Sequence, residues 1–416
     1  MLAAPPFPVI VLSAVFLLIA VRQTGMVKLR IWQIVVAGAA IVLVTGQISL
    51  QAAISYVDPT VIVFLLCIFI VGEALTESGY AQHLFYGVFK PARSVGALVL
   101  LILFSVGIAS MFLLNDTLAV IGTPVVLLFA EKERINPKLM LLSLAFAVTI
   151  GSVASPIGNP QNLLIASSGD VSNPFVTFFS YLALPTMINL LLAYAVLRLF
   201  YKREFRAERP AYSRMRITDA DLAGLCKVSL LIIGALVAFN IAAVSLGMGG
   251  GFSLAYIAVI ASLPLLIFSK KRAALLMNID WPTIAFFIAL FVLVGSVWQS
   301  GFVQGWASGL GVDVGSVPVV LVASVLGSQL VSNVPMVLLY LKLLAYTHIS
   351  AASAMALAAG STIAGNMLVL GAASNVIIIQ GAERRRSETL SFTDFARIGI
   401  ILTALNVIVY WVFLGA

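Results

Sequence analysis

Charge is what this chain has least of. Asp, Glu, Lys and Arg make up only 10% of its 416 residues, against about a quarter in an ordinary soluble domain, and 62% are hydrophobic. A soluble globular fold is excluded on that balance. Cysteine and histidine are equally scarce, with two of each. Cys67 and Cys226 sit in or beside apolar runs and read as packing residues, while His83 and His348 are isolated and give no metal-ligand spacing. No Walker lysine motif, phosphorylated-aspartate motif or zinc spacing is present. Nothing therefore indicates an enzyme, a cofactor or direct use of ATP.

Long apolar runs fill the chain instead, at 8–21, 31–45, 59–72, 175–197, 228–244, 252–268, 283–297 and 398–414. About 20 apolar residues cross a bilayer, fewer where flanking residues snorkel. The first run has no basic region before it and no small-residue cleavage site after it, so it reads as a first helix rather than a signal peptide. The chain is an all-α polytopic membrane protein whose medium is the lipid bilayer.

The net charge of +8 reports topology, not a nucleic-acid partner. Basic residues cluster beside the spans: Arg22, Lys28 and Arg30; Lys90 and Arg93; Lys132, Arg134 and Lys138; Arg198 to Lys227; Lys270 to Arg272; Arg384 to Arg386 with Arg397. Connections at 47–58, 167–174, 245–251 and 301–317 carry no Lys or Arg. Basic links are retained on the cytoplasmic side, which predicts a cell-membrane protein with both termini outside. Lys342 alone lies away from the cytoplasmic face, and it reads as a lysine that snorkels to the outer surface.

The chain is written twice. The segment 60–79 resembles 282–301, with Gly72 over Gly295 and Gly79 over Gly301; LLNDTLAVIGTP (113–124) corresponds to VSNVPMVLLYLK (331–342); PIGNPQNLLI (156–165) corresponds to VLGAASNVII (369–378), with Gly158 over Gly371 and Asn162 over Asn375. The link after the first TESG is basic and the link after the second WQSG is not, so the copies have opposite flanks, as inverted repeats do. The first repeat is expected over 1–201 and the second over 224–416, joined by a cytoplasmic linker at 202–223.

If 95–130 crossed completely, the basic loop 131–138 would lie outside. As a re-entrant hairpin the segment returns to the cytoplasm, and 317–347 is its counterpart from the other side. The next helix of each repeat, 139–169 and 353–381, is broken by Gly, Asn and Ser, with Pro156 and Pro160 added in the first. The expected count is about ten transmembrane helices with two re-entrant hairpins.

Backbone that leaves the helical ladder at bilayer depth is tolerated only where it is buried in protein or lines a polar cavity. Paired interruptions of this kind mark the substrate site of inverted-repeat transporters. Free N–H groups at one half-helix end suit anions or polar oxygens, and free C=O groups at the other suit Na⁺. The candidate substrate- and ion-binding residues are Asn115, Asp116, Thr117, Gly158, Asn159, Asn162, Ser332, Asn333, Gly371, Ser374 and Asn375. The two glycines are expected to admit backbone close to a ligand. Asp116 is the sharpest of the set, because an intramembrane carboxylate marks an ion or proton pathway; capping of the second hairpin arm is the alternative. Asn366 and Ser361 read as polar helix–helix contacts.

The motifs NDTLAVIGTP, SPIGNPQNLLIA, SNVPMVLL and GSTIAGNMLVLGAASNVI resemble, in this order and over nearly the whole chain, those of the ion transporter superfamily, most closely its arsenite-permease-like branch of anion permeases. The resemblance implies a secondary active transporter of a small inorganic oxyanion or metalloid oxyacid, coupled to H⁺ or Na⁺, and a homodimer. In the dicarboxylate branch, Ser-Asn-Thr tips bind Na⁺ and carboxylates. This chain departs from that pattern, with Val334 and Pro335 following Ser332 and Asn333. A sodium–proton antiporter, a di- or tricarboxylate symporter and, from another class, an ion channel stand as alternatives.

Overall fold

The computed structural model describes residues 5–22, 29–132, 134–206, 217–246, 253–309, 313–347, 350–384 and 390–415. Lys28, most of the link at 245–251, the centre of the 202–223 linker, His348 and the cluster from Arg385 to Glu388 fall outside them. Among the described residues every regular element is helical.

The first half runs α1 (Phe7–Arg22), α2 (Ile31–Val44), α3 (Leu50–Tyr56), α4 (Pro59–Ser78) and α5 (Tyr80–Phe89). Hairpin one follows: α6 (Val95–Leu101), a π-helical turn (Ile102–Val106) and α7 (Gly107–Ala109) form one arm, and α8 (Asn115–Lys132) the other. The broken helix is α9 (Pro137–Ser152) and α10 (Pro160–Ser167), and α11 (Pro174–Phe200) closes the half. The second half repeats the order: α12 (Ala220–Ser245), α13 (Leu254–Phe268), α14 (Arg272–Asn278), α15 (Trp281–Gln299), α16 (Phe302–Gly309), hairpin arms α17 (Val317–Val331) and α18 (Asn333–Thr347), broken helix α19 (Ala351–Ile363) and α20 (Ala373–Arg384), and α21 (Phe392–Leu414). Helices α4, α11, α12, α15 and α21 are long and apolar enough to cross a membrane alone. With the shorter apolar α1, α2 and α13 and the two broken helices, they make ten crossing elements among the described residues.

Equivalent helices start and stop on the same chemistry. Asp58 caps α4, its Oδ1 accepting from Thr60 N–H at 2.8 Å, and Asp280 caps α15 through Thr283 N–H at 3.1 Å; each cap precedes a proline in the first turn. Gly79 and Gly301 end the two helices at φ 69° and 74°, a conformation that glycine adopts without a Cβ penalty. Four links read as plain connections contain helices: α3, α5, α14 and α16. In α5, Ala81, Phe85, Tyr86 and Phe89 turn one apolar stripe to the core.

The halves exchange elements. Helix α2 packs on α15 as α13 packs on α4, and α8 packs on α20 as α18 packs on α10. The closing helices fix the direction of this symmetry. Phe178, Thr186 and Asn189 of α11 recur at the same spacing as Phe395, Thr403 and Asn406 of α21. Thr186 Oγ1 meets Tyr410 Oη at 2.8 Å, Asn189 accepts from Asn406 at 2.8 Å, and the Phe200 ring lies 5.4 Å from the Arg397 guanidinium. Partner numbers fall along α21 as they rise along α11, so equivalent helices run antiparallel. A two-fold relating them is perpendicular to both, which makes the repeats inverted.

Both hairpins return to the side they leave. At the base of hairpin one, a Cβ on Gly96 would lie 3.3 Å from Phe205, while Asn136, just past the far arm, donates its N–H to neighbouring Glu204 at 3.4 Å. At the base of hairpin two, Ser353 Oγ donates to Gly315 O at 2.6 Å and Tyr340 Oη to Val314 O at 2.9 Å.

Candidate functional site

The first break, between α9 and α10, is stitched shut by two asparagines. Asn159 caps α10, its Oδ1 accepting from Asn162 N–H at 2.8 Å. The Asn162 amide group donates to Ser152 O, Val153 O and Ser155 O at 3.0, 3.2 and 3.0 Å, carbonyls that the interrupted ladder would otherwise leave orphaned. Thr362, in the last turn of α19, reaches across from the other repeat. Its Oγ1 accepts from Asn159 Nδ2 at 3.2 Å and Gln161 Nε2 at 3.4 Å, and lies 3.3 Å from Asn162 Oδ1. This break is closed on itself.

Hairpin one is stapled to it. Ser155 Oγ donates to Met111 O at 2.6 Å, Ser110 Oγ to Val148 O at 2.8 Å, and Asn115 N–H to Gly158 O at 3.0 Å. Gly158 serves this contact: a Cβ there would lie 2.6 Å from Ser110 O and 2.7 Å from Ser152 O. The backbone that approaches Gly158 is the protein's own, and the same holds at Gly371, whose Cβ would meet Ala364 O at 2.8 Å. A Cβ on Gly371 would also lie 3.3 Å from the side-chain oxygen of Gln329.

The second break, between α19 and α20, has the same architecture and a different polarity. Gln329 Nε2 donates to Ala364 O at 2.8 Å, and Asn375 Nδ2 to Gly365 O at 2.7 Å. Backbone carbonyls accept only, so both amides are locked with NH₂ toward the backbone. Gln329 Oε1 and Asn375 Oδ1 are then buried without partners, as are the hydroxyls of Ser374 and Thr149. Thr149 is the counterpart of Thr362, at the same offset as Asn162 and Asn375, and its methyl would lie 3.3 Å from a Cβ on Gly365.

At the tips, Asn115 and Asn333 open the second arms α8 and α18, and both are buried with an unpartnered Oδ1. Asp116 is half-buried in the first turn of α8, where the helix dipole favours a carboxylate. Thr117 packs against α4: a Cβ on Gly72 would lie 2.9 Å from its Oγ1. Ser332 is exposed and makes the one-residue turn between α17 and α18 at φ 74°, backbone that costs a non-glycine residue about 1–3 kcal/mol. Of the eleven candidates, Asn115, Asn333, Ser374 and Asn375 offer buried unpaired oxygens. Asn159, Asn162, Gly158 and Gly371 build the breaks. No lysine, arginine or histidine is among the buried residues described.

Lys342 does not snorkel freely. Its Nζ lies 4.7 Å from the Tyr56 ring centroid and 5.9 Å from that of Trp298, a cation–π contact, and a Cβ on Gly295 would collide with Tyr56 at 2.5 Å. Ser361 bonds within its own helix, to Leu357 O at 2.7 Å, whereas Asn366 donates to Asn406 at 3.3 Å, between helices as expected. At the end of α4, Glu77 joins Lys271 at 2.9 Å, and Lys271, outside the spans, also joins Asp219 at 3.0 Å. The Leu222 N–H and Lys271 hold the Asp219 carboxyl below its ordinary value, and bonds to Glu77 and Asp219 raise Lys271.

Sequence reading missed Thr149, Thr362, Gln161 and Gln329. The first two were detectable, because they occupy equivalent places once the repeats are aligned. Gln329 carries no such mark; only its position beside Ala364 singles it out.

Comparison with known proteins follows the same lines. The family described as citrate transporter (CitMHS) matches residues 14–353. An uncharacterized transporter of Mycobacterium tuberculosis is 28% identical over 372 residues, 84% of each chain. The silicon efflux transporter of Oryza sativa is 27% identical, over 89% of this chain and 90% of its own. P protein of Mus musculus is 23% identical over 87% of this chain and 54% of its own length. Among solved structures, the YdaH transporter of Alcanivorax borkumensis, described as having an unusual topology, shares the fold with a TM-score of 0.57 at 17% identity, covering 85% of this chain and 84% of that one.

Proposed function

The chain belongs to the citrate transporter family of the ion transporter superfamily and is a membrane transporter; from that premise we propose that its cargo is a small, uncharged metalloid oxyacid of the arsenite type, moved in exchange with or alongside H⁺ or Na⁺. The observation that carries this reading is the polarity of the second break. Gln329 Oε1 and Asn375 Oδ1 are locked as acceptors by their own amide bonds to Ala364 O and Gly365 O. Ser374 and Thr149 add unpartnered hydroxyls there, and Asn115 and Asn333, at the two hairpin tips, carry unpartnered oxygens of their own. The locked amide oxygens take the O–H donors of a neutral oxyacid or coordinate Na⁺ and repel an anion's oxygens, while the two hydroxyls donate or accept as the cargo requires. A di- or tricarboxylate would arrive with charge that no buried cation among the described residues is present to meet. The rice relative, named for silicon, supports the same chemistry, because dissolved silicon is a neutral hydroxylated acid at neutral pH. Asp116 is the group suited to carry a coupling proton.

The family's description makes citrate the second reading. Uptake into proteoliposomes of arsenite, silicic acid, sulfate, phosphate, citrate and succinate, under separate H⁺ and Na⁺ gradients, decides between them. The expected result is saturable uptake of a neutral oxyacid, lowered tenfold or more by Asn375→Ala or Gln329→Leu. Uptake of citrate or succinate in preference would defeat the proposal, and gradient-independent current would point to a channel.

A further inference from the structure

A cleft of about 520 Å³ lies at the basic end of α11, lined by Tyr194, Ala195, Arg198, Leu199, Lys202 and Phe205. We propose that it binds the headgroup of an anionic phospholipid. Tyr194 and Arg198 are one helical turn apart on α11, and Lys202, in the turn just past its last residue Phe200, lines the same cleft, so a hydroxyl, a guanidinium and an ammonium border it together. Among the described residues no carboxylate pairs with either cation. Glu204, the nearby acid, is turned to the N–H of Asn136. Beside this polar stripe runs an apolar one, Ala195 and Leu199, with Leu199 62% exposed on a helix that spans the membrane. A phosphodiester fits the cations and the tyrosine hydroxyl, while an acyl chain fits the apolar stripe; a free phosphate uses only half of the cleft.

The cleft also has a mechanical position. Tyr194 and Phe205 pack edge to face at 5.7 Å, and both press on hairpin one at Gly96, where a Cβ would lie 3.1 Å from Tyr194 Oη. A lipid seated here touches the base of the hairpin that carries Asn115 and Asp116 at its tip. The ligand therefore adjusts how firmly that hairpin is held.

The test is lipid retention by the purified full-length protein, titrated in detergent with phosphatidylglycerol or phosphatidylcholine and followed by native mass spectrometry. Phosphatidylglycerol should be retained and phosphatidylcholine not. Arg198→Gln with Lys202→Gln should weaken phosphatidylglycerol binding roughly tenfold or more, while the charge-preserving pair Arg198→Lys with Lys202→Arg should keep it. Retention in the wild type should also fall with rising salt, a readout that needs no variant. Equal retention by wild type and the Gln pair, or retention indifferent to salt, overturns the site. Displacement of the lipid by an equal concentration of soluble glycerol phosphate overturns the lipid assignment in favour of a free phosphate.

Discussion

Asn406 donates a hydrogen bond to Asn189 at 2.8 Å, and the two hold the same position in the two equivalent closing helices. The pseudo-two-fold axis passes between them. Each is fully buried, and their bond joins the two closing helices at the axis. The chain continues from Asn366 Nδ2 to Asn406 Oδ1 at 3.3 Å, which ties the second break to the axis.

Removing the middle member of this chain strands both neighbours. Asn406→Ala leaves Asn189 Oδ1 and Asn366 Nδ2 buried and unpaired, at a cost of about 1–3 kcal/mol for each group. The melting temperature in a fixed detergent should fall clearly. A midpoint within a degree of wild type would show that the network contributes nothing to the fold.

Thr149 and Thr362 are equivalent by repeat and unlike in bonding, so the same substitution should act differently on each. Thr362→Val removes the hydroxyl shared by Asn159, Gln161 and Asn162 and should destabilise by about 1–3 kcal/mol. Thr149→Val deletes a buried hydroxyl that has no partner; stability should be unchanged or slightly higher. Thermal unfolding of both purified variants checks this, and equal losses would contradict the asymmetry.

Asp116 sits in the first turn of α8, so capping and coupling predict different outcomes for Asp116→Asn. The amide keeps size and is itself a good cap, and the loss of a cap costs only about 0.5–2 kcal/mol. If the carboxyl carries the coupling proton, the variant should melt normally and lose the pH dependence of gradient-driven accumulation. Normal pH-dependent transport at an unchanged melting temperature would assign Asp116 to capping alone.

The Glu77–Lys271–Asp219 cluster sets a pH window for stability. The Asp219 carboxyl is held below its ordinary 3.8, so its contribution is present above that value and is lost as pH falls through the lowered one. Lys271 is held above its ordinary 10.5, so its contribution is present below that value and is lost as pH rises beyond it. Melting temperature should therefore carry shoulders at both limits. Lys271→Met should flatten the alkaline shoulder and shrink the acid one; shoulders of wild-type size in the variant would place their origin elsewhere.

Much of the architecture was legible in the chain. Two copies of one pattern, the hairpins, the broken helices and the residues flanking them all show in the sequence. A polar interruption of an apolar run is a local event, and a bilayer tolerates it in few ways. The start and stop signals at Asp58 and Gly79, and again at Asp280 and Gly301, are equally local.

Which polar atoms remain available was decided only by the tertiary structure. Asn162 and Asn375 are the same residue at equivalent places. Asn162 donates to three carbonyls of its own break and meets Thr362 across the repeat interface, while Asn375 makes one bond and keeps its oxygen free. The pairing of Asn189 with Asn406 and the seat of Lys342 over Tyr56 and Trp298 are of the same kind. A side chain's donor and acceptor inventory is written in the sequence. The partners that consume it come from another helix, brought up by packing, and what packing leaves over is what a ligand can use.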